Sequence, residues 1–266
     1  MGFGANALRR VIGLARRGVI MRPGAVAELG AQQIRRDFFE QKAELAELAK
    51  LFNIGTPFPL AADPTQRGDY GPPTEVFWRW LGFDYLSIDI GGSPGSLPLD
   101  LNYDALPDKH KGKYHLVTNF GTTEHVCNQF NAFKIVHELT APNGVMMHGL
   151  PAQGFFNCGL LNYNPKFFWM LARSNEYNWL EVDYDVWRPE QVPGNILEQA
   201  RMFTPEIEAK FAGYTAADCL LKVSLQKVRD IPFIAPFDAP VEVSLGGRGP
   251  SAELARRYWT IFSAAQ

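Results

Sequence analysis

The chain has 266 residues, 46% hydrophobic and 20% charged, with 26 Lys plus Arg against 28 Asp plus Glu. This is enough apolar material for one large domain or two small ones, and it excludes an intrinsically disordered chain. A net charge of −2 supplies no overall field to hold a polyanion, so no nucleic acid partner is expected.

No apolar run approaches the roughly 18 to 20 residues of a bilayer span, so no integral membrane segment is expected. Cys127, Cys158 and Cys219 are too few and too scattered for a disulfide framework or a zinc cluster, and they point to a reducing, cytoplasmic setting.

Arg9, Arg10, Arg16, Arg17 and Arg22 precede the first acid, Glu28. They break any signal-peptide core. Leu8, Val11, Ile12, Leu14 and Ala15 at helical spacing predict a basic helix within 1–22, which suits a transit peptide, a membrane-surface helix or a helix packed on its own domain. Residues 23–266 are read as one domain. A buried strand is expected over 25–30, ending at Gly30, and an amphipathic helix over 32–52, where Ile34, Phe38, Leu45, Leu48 and Phe52 recur at mainly three- and four-residue intervals.

A Gly- and Pro-rich stretch over 53–73, carrying Phe58 and Tyr70, reads as a lid-like insertion. Thr74 is expected to cap a short helix over 75–81. A second strand is expected over 85–89, a short third over 99–102, a fourth over 114–119, a helix over 124–139, and a fifth strand over 145–148 after Pro142-Asn143-Gly144. Strand-like runs at 179–187 and 219–228, separated by a helical stretch near 196–211, permit an antiparallel pair at the sheet edge. The alternation predicts an α/β fold, a mostly parallel sheet with helices on both faces.

In such a sheet the ligand lies at the carboxyl ends of the strands. There the sequence has Glu28 and Gly30 after the first strand, Asp89 after the second, Asp100 after the third, and Asn119-Phe120-Gly121 after the fourth. Acids at successive strand ends suit a nucleoside: one can accept both ribose hydroxyls, another an exocyclic amine. Each alone can equally cap a turn. The first turn lacks G-x-G-x-x-G, and Gln32 would crowd a pyrophosphate there. No phosphate-binding loop, serine-hydrolase elbow or metal-ligand spacing is present, so no metal is expected.

These segments together resemble the class I S-adenosylmethionine-dependent methyltransferases. Ala25-Val26-Ala27-Glu28-Leu29-Gly30 is similar to the family's first motif, Ile88-Asp89 to its ribose-binding acid and Leu99-Asp100-Leu101 to its adenine-side acid. The run from Tyr114 through Asn119, Phe120 and Glu124-His125-Val126 is similar to its fourth-strand motif. Pro142-Asn143-Gly144 resembles the turn before its fifth strand, and Gly159-Leu160-Leu161-Asn162-Tyr163 a segment common in small-molecule and glycan enzymes.

The resemblance implies a Rossmann-like seven-stranded sheet ordered 3-2-1-4-5-7-6 with an antiparallel last strand. It implies S-adenosyl-L-methionine as cofactor, bound by Glu28, Gly30, Gln32, Asp89, Asp100, Leu101, Asn119, Phe120 and Glu124. Methyl transfer to a small polar molecule or sugar, most simply at oxygen, is then the expected activity. His148, at the expected end of the fifth strand, and His125 are the candidate catalytic bases. A nucleotide-dependent Rossmann oxidoreductase and a non-catalytic methyltransferase-like binding subunit are the alternatives.

Overall fold

The computed structural model describes residues 2–59, 70–155, 158–187 and 218–238. Among the described residues the main sheet has six strands: β1 (Ala25–Leu29), β4 (Asp84–Ile88), β5 (Tyr114–Phe120), β6 (Thr140–Gln153), β7 (Tyr177–Trp187) and β8 (Asp218–Lys227). They lie in the order β4-β1-β5-β6-β8-β7. The first four are mutually parallel, and β8 runs antiparallel to both β6 and β7. This is the Rossmann-like order expected, without a regular outer strand. At 99–102 the expected third strand does not form. A single parallel bridge joins Leu97 to Ile88, and Leu99 and Leu101 are buried without a ladder.

Side chains alternate across the sheet with the two-residue period of a strand. Ala27, Leu29, Val117, Met146 and Leu150 pack toward α4 (Gln129–Leu139) and α5 (Pro165–Asn175). Val26, Leu116, Phe120, Val145 and Met147 pack toward α1 (Ala5–Arg16), α2 (Lys42–Leu51) and α3 (Glu75–Trp80). An aromatic knot of Phe3, Phe38, Phe58, Phe77 and Trp78 fills this second face, with ring centroids such as Phe77 and Trp78 4.9 Å apart.

The N-terminal basic helix buries Leu8, Val11, Ile12 and Leu14 in the second face. Arg9 and Arg16 are tied to the α2 region. Arg16 Nη2 donates to Glu47 Oε2 at 2.8 Å and Arg9 Nη2 to Gln41 Oε1 at 2.8 Å.

The helix expected over 32–52 begins ten residues late, at Lys42. Before it, β2 (Gln33–Arg35) pairs antiparallel with β3 (Tyr70–Pro73), and Phe3 bridges to Ile34. Ile34 and Phe38 are buried through that pairing and a 3-10 turn; their four-residue spacing is therefore not helical. The lid-like insertion falls outside the described residues at 60–69. Its flank at Phe58 is buried against Phe38 and Trp80. The helical stretch at 196–211 also lies outside the described residues.

The expected four-residue fifth strand is 14 residues long in β6, with Asn143 absorbing an irregularity at φ +62°. Its length follows from β8, whose partners extend from Gln153 back to Val145.

Candidate active site

Strand order reverses between β1 and β5, and in open α/β sheets the crevice beyond such a switch point receives the ligand. Here Gly30 follows β1 with φ +73°, and a Cβ there would meet Thr122 Oγ1 at 2.6 Å. Thr122 Oγ1 donates to Leu29 O at 2.6 Å, so the loops after β1 and β5 touch through this pair, and only glycine fits.

The Gln32 side chain folds back into the same turn. Its Nε2 donates to Leu29 O at 3.2 Å and to Thr122 Oγ1 at 3.4 Å, and its Oε1 is buried with no donor among the described residues.

Asp89 stands across the turn, one residue beyond β4. Its Oδ1 accepts from Gly91 N–H at 2.8 Å, and its Oδ2 from Ser93 Oγ at 2.7 Å and Ala31 N–H at 3.3 Å. Burial works to raise its pKa, but these three hydrogen bonds hold it below the usual carboxylate range.

Asp100 Oδ1 accepts from Asn102 N–H at 2.8 Å. Asn102 Oδ1 accepts in turn from Cys127 and Asn128 N–H at 3.0 Å each. Asp100 and Leu101 are thus held beside the start of α4 by loop hydrogen bonds.

Glu28 and Phe120 point elsewhere. Glu28 is fully buried on the α3 side. Its Oε2 accepts from Thr74 Oγ1 at 2.5 Å, Tyr85 OH at 2.7 Å and Gln32 N–H at 3.2 Å, and its Oε1 from Thr118 Oγ1 at 3.3 Å. Burial raises its pKa against these hydrogen bonds. Thr74, expected as a helix cap, makes no side-chain cap bond to α3; its hydroxyl serves Glu28. Phe120 packs against Phe3, with Arg10 Cζ 6.0 Å from its ring centroid.

Asn119 and His148 share the opposite face. They are register partners, and Asn119 Nδ2 lies 3.2 Å from His148 Nδ1 and 2.9 Å from Thr123 Oγ1. An amide N–H facing Nδ1 makes Nδ1 the acceptor and leaves the ring proton on Nε2. His148 is fully buried between Phe133 and Phe168. Burial first, then the charge of Arg10, lower its pKa to about 3. It sits within β6, five residues before the strand ends at Gln153, not at the carboxyl end as expected from the sequence.

At the carboxyl ends of β5 and β6 a 3-10 turn, Thr123–His125, faces the loop around Cys158. One ligand-type atom from each of Glu124, His125 and Cys158 lies within 4.8 Å of the others. The Glu124 side chain is fully buried, and neither carboxylate oxygen has a hydrogen-bond partner among the described residues. Burial lifts its pKa to about 7. The His125 side chain is 53% exposed, with Nε2 3.9 Å from Glu124 Oε1, and burial lowers its pKa.

Glu124 and His125 carry signals readable in the sequence. Cys158, 34 positions further on, does not, because only the loop after β6 brings it to them. Thr122, whose hydroxyl joins the two loops, lies inside the run similar to the fourth-strand motif, but the sequence assigns it no role there.

No family model matches the chain, and no curated protein matches it. Among solved structures it is similar to an S-adenosylmethionine-dependent methyltransferase from Mesorhizobium loti, with 14% identity, 80% of this chain and 95% of that chain covered, and a TM-score of 0.36. It is also similar to the Burkholderia thailandensis 1,6-didemethyltoxoflavin-N1-methyltransferase with bound 1,6-didemethyltoxoflavin and S-adenosylhomocysteine, with 11% identity, coverage of 84% and 78%, and a TM-score of 0.40. The cyclase SpnF is similar at 10% identity, with coverage of 85% and 86% and a TM-score of 0.43. Two methyltransferases and a cyclase at these identities assign no reaction to the chain.

Proposed function

We propose that the chain is an S-adenosylmethionine-dependent methyltransferase acting on a small polar molecule or sugar, at oxygen. The observation that carries this reading is the switch-point crevice, where the Gly30 turn, the Asp89 carboxylate and the donorless Gln32 Oε1 converge. A cofactor with ribose hydroxyls and an ammonium group but no phosphate matches those acceptors: Asp89 for the hydroxyls, Gln32 for an N–H donor. The Gln32 side chain occupies the turn that a pyrophosphate would approach, which argues against the dinucleotide oxidoreductase.

When bound, the cofactor supplies a methyl group already activated on sulfonium, so the chain's own task is alignment of the acceptor. Of the two expected bases, His125 has solvent access and His148 has none.

Calorimetry with S-adenosylhomocysteine tests the reading. Removing a charge-assisted hydrogen-bonding group costs about 1.5 to 3 kcal/mol, so Asp89→Ala weakens binding roughly ten- to hundredfold. Absence of binding by the wild type, or full affinity in the folded variant, overturns it. Binding without methyl transfer to any of a panel of polar hydroxyl compounds favours the non-catalytic subunit.

A further inference from the structure

We propose that Glu124, His125 and Cys158 form a binding site for a divalent transition-metal ion of the zinc type, with a coordination position left for an oxygen ligand. The three offer one oxygen, one nitrogen and one sulfur within 4.8 Å of one another. A tetrahedral ion with bonds of about 2.0 to 2.3 Å holds its ligand atoms roughly 3.3 to 3.7 Å apart. Side-chain adjustment alone closes the difference, since Glu124 Oε1 and His125 Nε2 are already at 3.9 Å. Mixed sulfur, nitrogen and carboxylate donors suit Zn²⁺ and disfavour Mg²⁺ or Ca²⁺, which take oxygen ligands.

The second observation is the state of Glu124. Its carboxylate is fully buried, and neither oxygen has a hydrogen-bond partner among the described residues. A buried carboxylate without donors is costly unless a proton or a cation accompanies it.

The loop that delivers the thiol is built for close approach. Gly159 has φ +86°, and a Cβ there would strike Glu124 Cγ at 2.6 Å. Leu160 N–H donates to Glu124 O at 2.7 Å, Cys158 N–H to Phe155 O at 2.8 Å, and Phe155 N–H to Asp218 Oδ1 at 2.8 Å. Backbone hydrogen bonds therefore fix Cys158 against the Glu124 turn without engaging the carboxylate. Three protein ligands with one open position is the pattern of a reactive rather than a closed structural ion. Granting the methyltransferase reading, the open position would take a hydroxyl oxygen of the acceptor.

The test uses the metal alone. Chelator-stripped protein is titrated with Zn²⁺ against a chromophoric chelator, and separately loaded with Co²⁺ to look for thiolate-to-cobalt charge-transfer absorption in the near ultraviolet. One equivalent is expected, together with that absorption. Loss of even an outer-shell partner weakens metal binding about 10- to 100-fold, so Cys158→Ser, His125→Ala and Glu124→Gln should each lose at least about tenfold. Cys158→Ser should abolish the band, and Cys127→Ser, at the exposed thiol outside the cluster, should keep it.

Circular dichroism confirms that each variant is folded, and Cys158→Ala serves if the serine variant is not. No wild-type binding, no thiolate band, or affinity unchanged in folded Cys158 and His125 variants overturns the proposal. S-adenosylhomocysteine calorimetry on the same stripped protein separates the two readings. Cofactor binding without zinc binding defeats the metal site alone, whereas zinc binding without cofactor binding defeats the methyltransferase assignment alone.

Discussion

Arg10 of α1 reaches the backbone of β6, where its Nη1 donates to His148 O at 2.9 Å. The same guanidinium donates from Nη2 to Ser224 Oγ at 2.8 Å and from Nε to Glu181 Oε2 at 2.9 Å. It is thus a buried charge shared among α1, β6, β7 and β8. Burial lowers the arginine's pKa, and Glu181 opposes that effect. Removing one partner of a buried pair costs about 3 to 5 kcal/mol. Glu181 is a third exposed, so Arg10→Ala should lose about 3 kcal/mol in urea unfolding, near the lower end. Arg10→Met, which refills the volume, should lose less. Equal midpoints for Arg10→Ala and wild type would show the guanidinium to be idle.

Glu28 should matter to stability. Glu28→Ala leaves Thr74, Tyr85 and Gln32 without their buried acceptor, and an unsatisfied buried donor costs about 1 to 3 kcal/mol. A loss of about 3 kcal/mol or more is expected by chemical denaturation. Glu28→Gln, whose amide oxygen keeps accepting from Thr74 and Tyr85 while its N–H faces the Thr118 hydroxyl and the weak Trp78 donor at 3.5 Å, should lose clearly less than Glu28→Ala. It should also keep its affinity for S-adenosylhomocysteine; a large loss there would restore the binding role expected from the sequence.

Gly30→Ala should fail on two counts, its left-handed backbone and the approach of Thr122 Oγ1 at 2.6 Å. A non-glycine residue in that conformation costs roughly 1 to 2 kcal/mol. Adding Thr122→Ala should recover only the steric part, so a double-mutant cycle would show coupling of a few tenths to about 2 kcal/mol. Strict additivity would mean that the two loops do not touch in solution.

Acid should destabilise the protein through its buried imidazoles. Burial lowers the pKa of His148 to about 3 and, with the nearby Lys227 charge as a smaller cause, that of His137 to about 4. An unfolded histidine titrates near 6.5. Below that pH the unfolded chain binds protons that the native state refuses, so stability falls as pH drops from about 6.5 toward 4 and 3. The limiting slope is about 1.4 kcal/mol per pH unit for each ring. Between pH 7 and pH 5 each histidine should remove about 2 kcal/mol. His148→Gln should make that loss smaller by the same amount; an identical pH dependence would show that His148 is protonated in the native protein.

The short apolar runs of β1, β5 and β6, their alternation with helical segments and the glycine after β1 made the parallel sheet legible in the sequence. What the strand ends did with their polar residues was hidden. Neighbouring positions such as Asn119 and Phe120 look alike as strand-end candidates, yet the pleat sends Phe120 toward α1 and Asn119 toward α4. Glu28 follows the Phe120 side and so meets Thr74 and Trp78 of the α3 region.

The β2 and β3 pairing was unreadable because Ile34 and Phe38 have spacing that a helix would also give. The meeting of Cys158 with Glu124 depends on the conformation of Gly159, which no local periodicity encodes.

The partners of Arg10 set a constraint on the order in which this molecule can be assembled during synthesis. Ser224 follows Arg10 by 214 positions and Glu181 follows it by 171. α1 therefore meets Gln41 and Glu47 early, but Arg10 finds its full set of partners only when nearly all of the described chain has emerged. Until β8 inserts between β6 and β7, the guanidinium lacks Ser224 and the central strands lack an edge partner, the kind of non-local pairing that slows folding and leaves surface open to wrong contacts. The Arg10 anchor is made early and secured late.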